Sequence, residues 1–173
     1  MKFTGERFMT SETGRIRLEH YHRYTILENS VVSRKVLDVA CGEGYGSYLL
    51  ANTASSVTGV DISNESVAHA REKYIKDNLK YIQASATYLP FEDDCFDVVV
   101  SFETIEHLIN PGKFLRDAKQ ALPREGILIA SVPTAPLVDM DEFHLHDFTA
   151  KKWRNLVAEC GFTIIEELPQ RYC

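Results

Sequence analysis

The stretch from Lys35 to Gly46, K-V-L-D-V-A-C-G-E-G-Y-G, constrains the chain more than any other. Val36, Leu37 and Val39 are the apolar, largely β-branched residues of a strand buried on both faces, as parallel sheets require. Gly42, Gly44 and Gly46 then allow a tight turn and close approach of the backbone to a ligand, and a helix is predicted to follow directly. A strand, glycine turn and helix in that order place unpaired N–H groups at the crevice above the strand ends, an arrangement suited to a nucleotide-like molecule.

The spacing separates two classes of nucleotide site. The dinucleotide fingerprint G-x-G-x-x-G needs a glycine at position 47, where this chain has Ser47, so the pattern is G-x-G-x-G. A second short apolar strand, Val57 to Asp61, ends in a carboxylate 61 − 42 = 19 positions after Gly42. That is about the distance at which an acid reaches a ribose diol.

With these residues the chain resembles the class I S-adenosylmethionine-dependent methyltransferases. The resemblance continues through Y-I-Q-A-S-A-T-Y-L-P-F (81–91), F-D-V-V-V-S-F-E-T-I-E-H-L (96–108) and G-I-L-I-A-S-V-P (126–133), which are similar to the family's third, fourth and fifth strand regions. It implies a doubly wound, mostly parallel α/β sheet and S-adenosylmethionine as cofactor. Asp38 would help hold the methionine part and Asp61 the ribose hydroxyls. Ala40, Cys41, Gly42, Gly44, Ile62, Ser85, Ala86 and Phe102 would line the cofactor. Ser85 is a departure, since relatives often carry there an Asp that bonds the adenine amino group.

At 173 residues, 45% hydrophobic and 25% charged, the chain fits a single domain spanning 1–173. A net charge of −6 without a run of Lys or Arg gives no attraction to phosphate backbones, so nucleic acid is not an expected partner. No segment has the length and apolarity of a leader or membrane span, which points to a cytoplasmic protein. Cys41, Cys95, Cys160 and Cys173 lack C-x-x-C spacing, and Cys41 in the turn reads as a packing residue.

Residues 12–30 carry Ile16, Tyr21, Tyr24 and Leu27 near helical spacing, predicting a leading helix that either packs on the sheet or serves as a lid. T-G-E-R-F (4–8) followed by E-H-x-H-R-Y (19–24) resembles methyltransferases associated with surface-polysaccharide synthesis. Further helices are predicted after Asp61 with Ser63 or Asn64 as N-cap, from Pro111 with Phe114, Leu115, Ala118 and Leu122 buried, and from Thr149 to Cys160. Phe162 to Leu168 reads as a sixth strand. The family's last strand, antiparallel and inserted between the fifth and sixth, is missing, so either the domain is truncated or its edge is unusual. The exposed fifth strand is then expected to receive the sixth strand directly or a second copy of the chain.

Methyl transfer from a sulfonium needs mainly proximity and exclusion of water, while a hydroxyl acceptor also needs a proton acceptor or an ion. Glu103, Glu106 and His107 lie at i, i+3 and i+4 after the fourth strand and face one way if that turn is helical. His144 and His146 follow the fifth strand. The pattern E-x-x-E-H with a later His resembles the metal-binding set of small-RNA 2′-O-methyltransferases, implying Glu103, Glu106, His107 and His144 as ligands of a divalent metal. Without a metal, either Glu103 or its neighbours merely flank the cofactor and His107 caps the helix, or His107 or His144 is the candidate proton acceptor. The expectation is methyl transfer to a small-molecule or glycan-precursor acceptor at oxygen. The rivals are an inactive cofactor-binding module and an NAD-dependent oxidoreductase or epimerase, the latter opposed by the missing third glycine.

Overall fold

The computed structural model describes residues 15–134 and 144–169, with side chains from residue 20 onward in the first helix. The motif T-G-E-R-F, the side chain of Glu19 and Cys173 lie outside the described residues. Helix α1 (Arg15–Thr25) leads into β1 (Lys35–Val39), α2 (Tyr45–Leu50) and β2 (Ser56–Asp61). Then come α3 (Asn64–Lys73), β3 (Leu79–Gln83), β4 (Val98–Phe102), a 3-10 turn (Ile105–His107), α4 (Pro111–Ala121), β5 (Ile127–Ser131) and α5 (Ala150–Glu159).

The five strands form one parallel sheet in the order β3-β2-β1-β4-β5. β1 takes the centre between two strands that, like it, are apolar on both faces: Val36, Leu37 and Val39 are essentially inaccessible, as are Val57, Val60 and Val98–Val100. Its alternation sorts the helices. Leu37 and Val39 face Phe114, Leu115 and Ala118 of α4 and Val157 of α5, whereas Val36 faces Tyr24, Leu27, Val31, Tyr45 and Leu50 beside α1 and α2. The expected doubly wound architecture follows.

Local chemistry fixes the helix starts. The side chains of Ser63, Asn110 and Thr149 accept from the backbone N–H of Ser66, Lys113 and Lys152, and Pro111 occupies the first turn of α4.

The sixth strand does not form. Residues 162–168 pair with no strand and are largely exposed, held instead by Phe162 N–H donating to Val157 O and by a two-pronged Arg154–Glu167 ion pair at 2.7 Å. Thr163, Ile164 and Ile165 have the β-branched character that suggested a strand, but an extended segment without a ladder partner is not one. Among the described residues nothing pairs with the outer edge of β5, so direct docking of a sixth strand is excluded there.

Candidate cofactor and active site

The strand order reverses between β1 and β4, and in open α/β sheets the ligand crevice falls at the C-terminal strand ends of that point. Both strands leave the sheet through left-handed non-glycine residues, Ala40 (φ 59°) and Glu103 (φ 46°). The three glycines of the turn do different work. Gly42 (φ 55°) faces open space, for a Cβ built there meets nothing within 4 Å. Gly44 (φ 88°) is hemmed in: a Cβ would lie 2.6 Å from Ala70 Cβ and 2.8 Å from the Tyr81 ring. At Gly46 a Cβ would sit 2.2 Å from the Tyr24 ring of α1. A Cβ would thus enter open space at Gly42, whereas the missing side chains of Gly44 and Gly46 also permit close packing of Ala70, Tyr81 and Tyr24 around the turn.

Asp61 ends β2 with Oδ2 accepting from Gly42 N–H (3.0 Å) and Oδ1 from Ser63 N–H (2.8 Å), so one carboxylate joins the turn to the start of α3. Cys41 is buried and its N–H donates to Val60 O (2.9 Å); burial pushes its thiol well up, which makes it a packing residue. Ile62 is exposed at the crevice rim, Ser85 Oγ accepts from Thr87 N–H (3.2 Å) beside Ala86, and Phe102 meets the Tyr24 ring edge-on at 5.1 Å. The residues expected to line the cofactor thus lie at or just past the C-terminal ends of β1, β2, β3 and β4.

Asp38 is entirely buried. Ser47 Oγ donates to its Oδ2 (2.6 Å) and Tyr24 OH to its Oδ1 (3.2 Å), so β1, α2 and α1 meet on one carboxyl group. Burial raises that carboxyl from 3.8 to about 7, against the opposing pull of the two hydroxyls. Between pH values of roughly 4 and 7 the folded chain then holds a proton that the unfolded chain has released. The stability this group contributes is present below its unfolded value and is lost as the pH rises through about 7. Melting curves should accordingly show the wild type gaining stability from pH 8 to pH 5 relative to Asp38→Asn. Parallel pH profiles for the two proteins would contradict this.

The acidic turn after β4 splits. Glu103, turned away by its left-handed backbone, donates its N–H to Ser131 O (3.2 Å) and accepts from Ser131 Oγ at Oε1 (2.6 Å); its Oε2 lies 3.7 Å from Arg23 Nη2 of α1. It is not part of the group formed by Glu106, His107 and His144, whose ligand-type atoms all lie within 4.8 Å of one another. The expected four-ligand set thus comes together as three, because Glu103 precedes the helical turn and the i, i+3 spacing does not apply to it. Glu106 is 1% exposed, its Oε2 has no hydrogen-bond partner among the described residues, and burial pushes its carboxyl up to about 8. The rings of His107 and His144 meet at 4.8 Å. His144 is delivered by the segment after β5, whose Leu145 and His146 N–H groups both donate to Glu106 O, while the His146 ring bonds Leu108 O. Residues 135–143 of that loop lie outside the described residues.

A family model described as a methyltransferase domain matches residues 37–130, from β1 to β5. The chain belongs to the class I S-adenosylmethionine-dependent methyltransferases. It is 35% identical over 149 residues to a probable S-adenosylmethionine-dependent methyltransferase of Mycobacterium tuberculosis, covering 83% of this chain and 54% of that one. It is 28% identical over 110 residues to a ubiquinone biosynthesis O-methyltransferase of Glaesserella parasuis, covering 60% of this chain and 47% of the relative. The chain spans about half the length of the curated relatives it matches. Its fold is that of the S-adenosylmethionine-dependent methyltransferase structure from Mesorhizobium loti, at TM-score 0.71 and 20% identity over 85% of this chain and 82% of that one. The family matched is a methyltransferase one, not that of an oxidoreductase or epimerase. Among the described residues no helix of the methyltransferase is long and apolar enough to cross a membrane.

The sequence pointed to the glycine turn, Asp61 and the Glu106–His107 turn, but it passed over Ser47, Tyr81 and Ser131. Tyr81 and Ser131 act across the sheet from other strands, and no local pattern marks them.

Proposed function

We propose that this methyltransferase acts at oxygen of a small-molecule or glycan-precursor acceptor, in the cytoplasm and without nucleic acid. The supporting observation is the Gly42 turn bonded to Asp61 at the crevice, with open space above Gly42. That space fits the cofactor, and the Asp61 carboxylate that ends β2 beside it is the acceptor for the ribose hydroxyls. Ala40, Cys41, Ile62, Ser85, Ala86 and Phe102 line the rest. Asp38, enclosed by Tyr24 and Ser47, acts on the methionine end through the helices it joins. When bound, S-adenosylmethionine supplies the electrophilic methyl group on its sulfonium. The chain orients the acceptor, excludes water and takes the hydroxyl proton at an imidazole nitrogen of His107 or His144. The O-methyltransferase named among the relatives supports oxygen as the target.

A second reading rests on Glu106. A buried carboxylate oxygen without a partner, beside two imidazoles, fits a divalent cation, which would acidify a nearby hydroxyl. Calorimetry separates these proposals. S-adenosylhomocysteine should bind and NAD should not; the reverse result would reject the cofactor site. Stoichiometric Mn²⁺ binding that disappears in Glu106→Gln and His144→Ala would establish the cation, and no Mn²⁺ uptake would leave the two histidines as proton acceptors. Among the described residues the outer edge of β5 has no partner strand, which further suggests pairing with a second copy that light scattering would reveal as a dimer.

A further inference from the structure

The underside of the glycine turn is braced by one side chain that belongs to no site assigned so far. Tyr81, in β3, is 4% exposed, and its hydroxyl donates to Gly44 O at 2.8 Å. Its ring fills the space that glycine leaves at two positions: a Cβ at Gly44 would come within 2.8 Å of it, and one at Gly59 in β2 within 2.7 Å. Tyr81 is itself fixed from behind, since Arg71 of α3 donates through Nε and Nη2 to its carbonyl at 3.1 and 2.7 Å. Above it, the turn it holds carries Gly42, whose N–H reaches Asp61. A continuous path thus runs from the Tyr81 hydroxyl through the Gly44 carbonyl and two residues of turn to the Asp61 carboxylate.

We infer that Tyr81 is a positioning residue for the cofactor turn: its hydroxyl sets the height of Gly44 and so the geometry in which Gly42 and Asp61 meet the cofactor. The inference rests on the cofactor placement proposed above. The hydroxyl is not needed for folding. Gly44 O also accepts from Tyr48 N–H (3.0 Å), the first bond of α2, so removing the phenol oxygen leaves that carbonyl satisfied and strands no donor. A phenylalanine keeps the ring that fills the space beside the two glycines. Loss of the hydroxyl therefore frees the turn to move without emptying the core.

The test is Tyr81→Phe in the full chain, with S-adenosylhomocysteine as probe. Calorimetry should show binding weakened about three- to tenfold, the size expected for losing one positioned hydrogen bond. The melting temperature should change little. In a cycle with Asp61→Asn, the double variant should bind about as poorly as Asp61→Asn alone, because the hydroxyl acts through that carboxylate. Amide hydrogen exchange read by NMR should show the Gly42 N–H exchanging faster in Tyr81→Phe, a change that a purely packing role would not produce. Wild-type affinity and unchanged Gly42 exchange in a folded Tyr81→Phe protein would overturn the inference, as would full additivity with Asp61→Asn. Failure of the wild type to bind S-adenosylhomocysteine would instead overturn the cofactor placement itself.

Discussion

Asp61→Ala should weaken S-adenosylhomocysteine binding by about 1.5–3 kcal/mol, on the order of tenfold to a hundredfold. Two losses combine in that figure. The ribose hydroxyls lose a charged acceptor, and the Gly42 and Ser63 N–H groups, which donate to the two carboxylate oxygens at 3.0 and 2.8 Å, lose theirs. Asn at this position keeps one acceptor oxygen and should fall between the wild type and Ala. The ordering wild type, Asn, Ala in calorimetric affinity is the expected result. An Ala variant that binds like the wild type would mean that the cofactor lies elsewhere.

The second large effect separates two glycines of the same turn. Gly44→Ala meets a left-handed backbone at φ 88° and a Cβ that must intrude on Ala70 and Tyr81. Backbone strain of about 1–2 kcal/mol and overpacking of about 1–3 kcal/mol both apply. Their sum is a large part of the roughly 5–15 kcal/mol that holds a domain of this size folded. Its melting temperature should fall by about 5–15 °C. Gly42→Ala pays the backbone strain alone, since its Cβ enters open space. It should melt only a few degrees below the wild type, yet lose cofactor affinity, because that space is where we propose the cofactor binds. If Gly44→Ala melted with the wild type, the packing of Tyr81 beneath the turn would be wrong.

What could be read from the sequence was whatever local chemistry decides. The apolar runs Val36–Val39 and Val98–Phe102, Pro111 at a helix start, and the caps Ser63 and Thr149 each announce themselves within a few residues, and each element forms within a residue or two of where it was expected. Features that depend on distant partners were not legible. Residues 162–168 have strand composition but no neighbour to pair with. Glu103 was grouped with Glu106 on the assumption of helical spacing, and a single left-handed residue redirected it to Ser131 and Arg23. The packing of Tyr81 against Gly44 and of Tyr24 against Gly46 was likewise not legible, because sequence records the absence of a Cβ without recording which ring occupies the space.

The central position of β1 also sets a timetable for folding. One of its neighbours, β2, follows within a short helix, with Val36 beside Val57, but the other arrives only with β4, whose Val98 pairs with the same Val36. Lys35 likewise waits for Asp97, 62 positions along, to accept its N–H. As the chain leaves the ribosome at about 5–20 residues per second, β1, β2 and β3 can assemble while one edge of the central strand is still bare for several seconds. Closing that edge is a long-range event with a high loop-closure cost, so it is the step expected to limit the folding rate. Until Val98–Phe102 docks, the half-built sheet offers passing chains the same edge that it later hides at its centre.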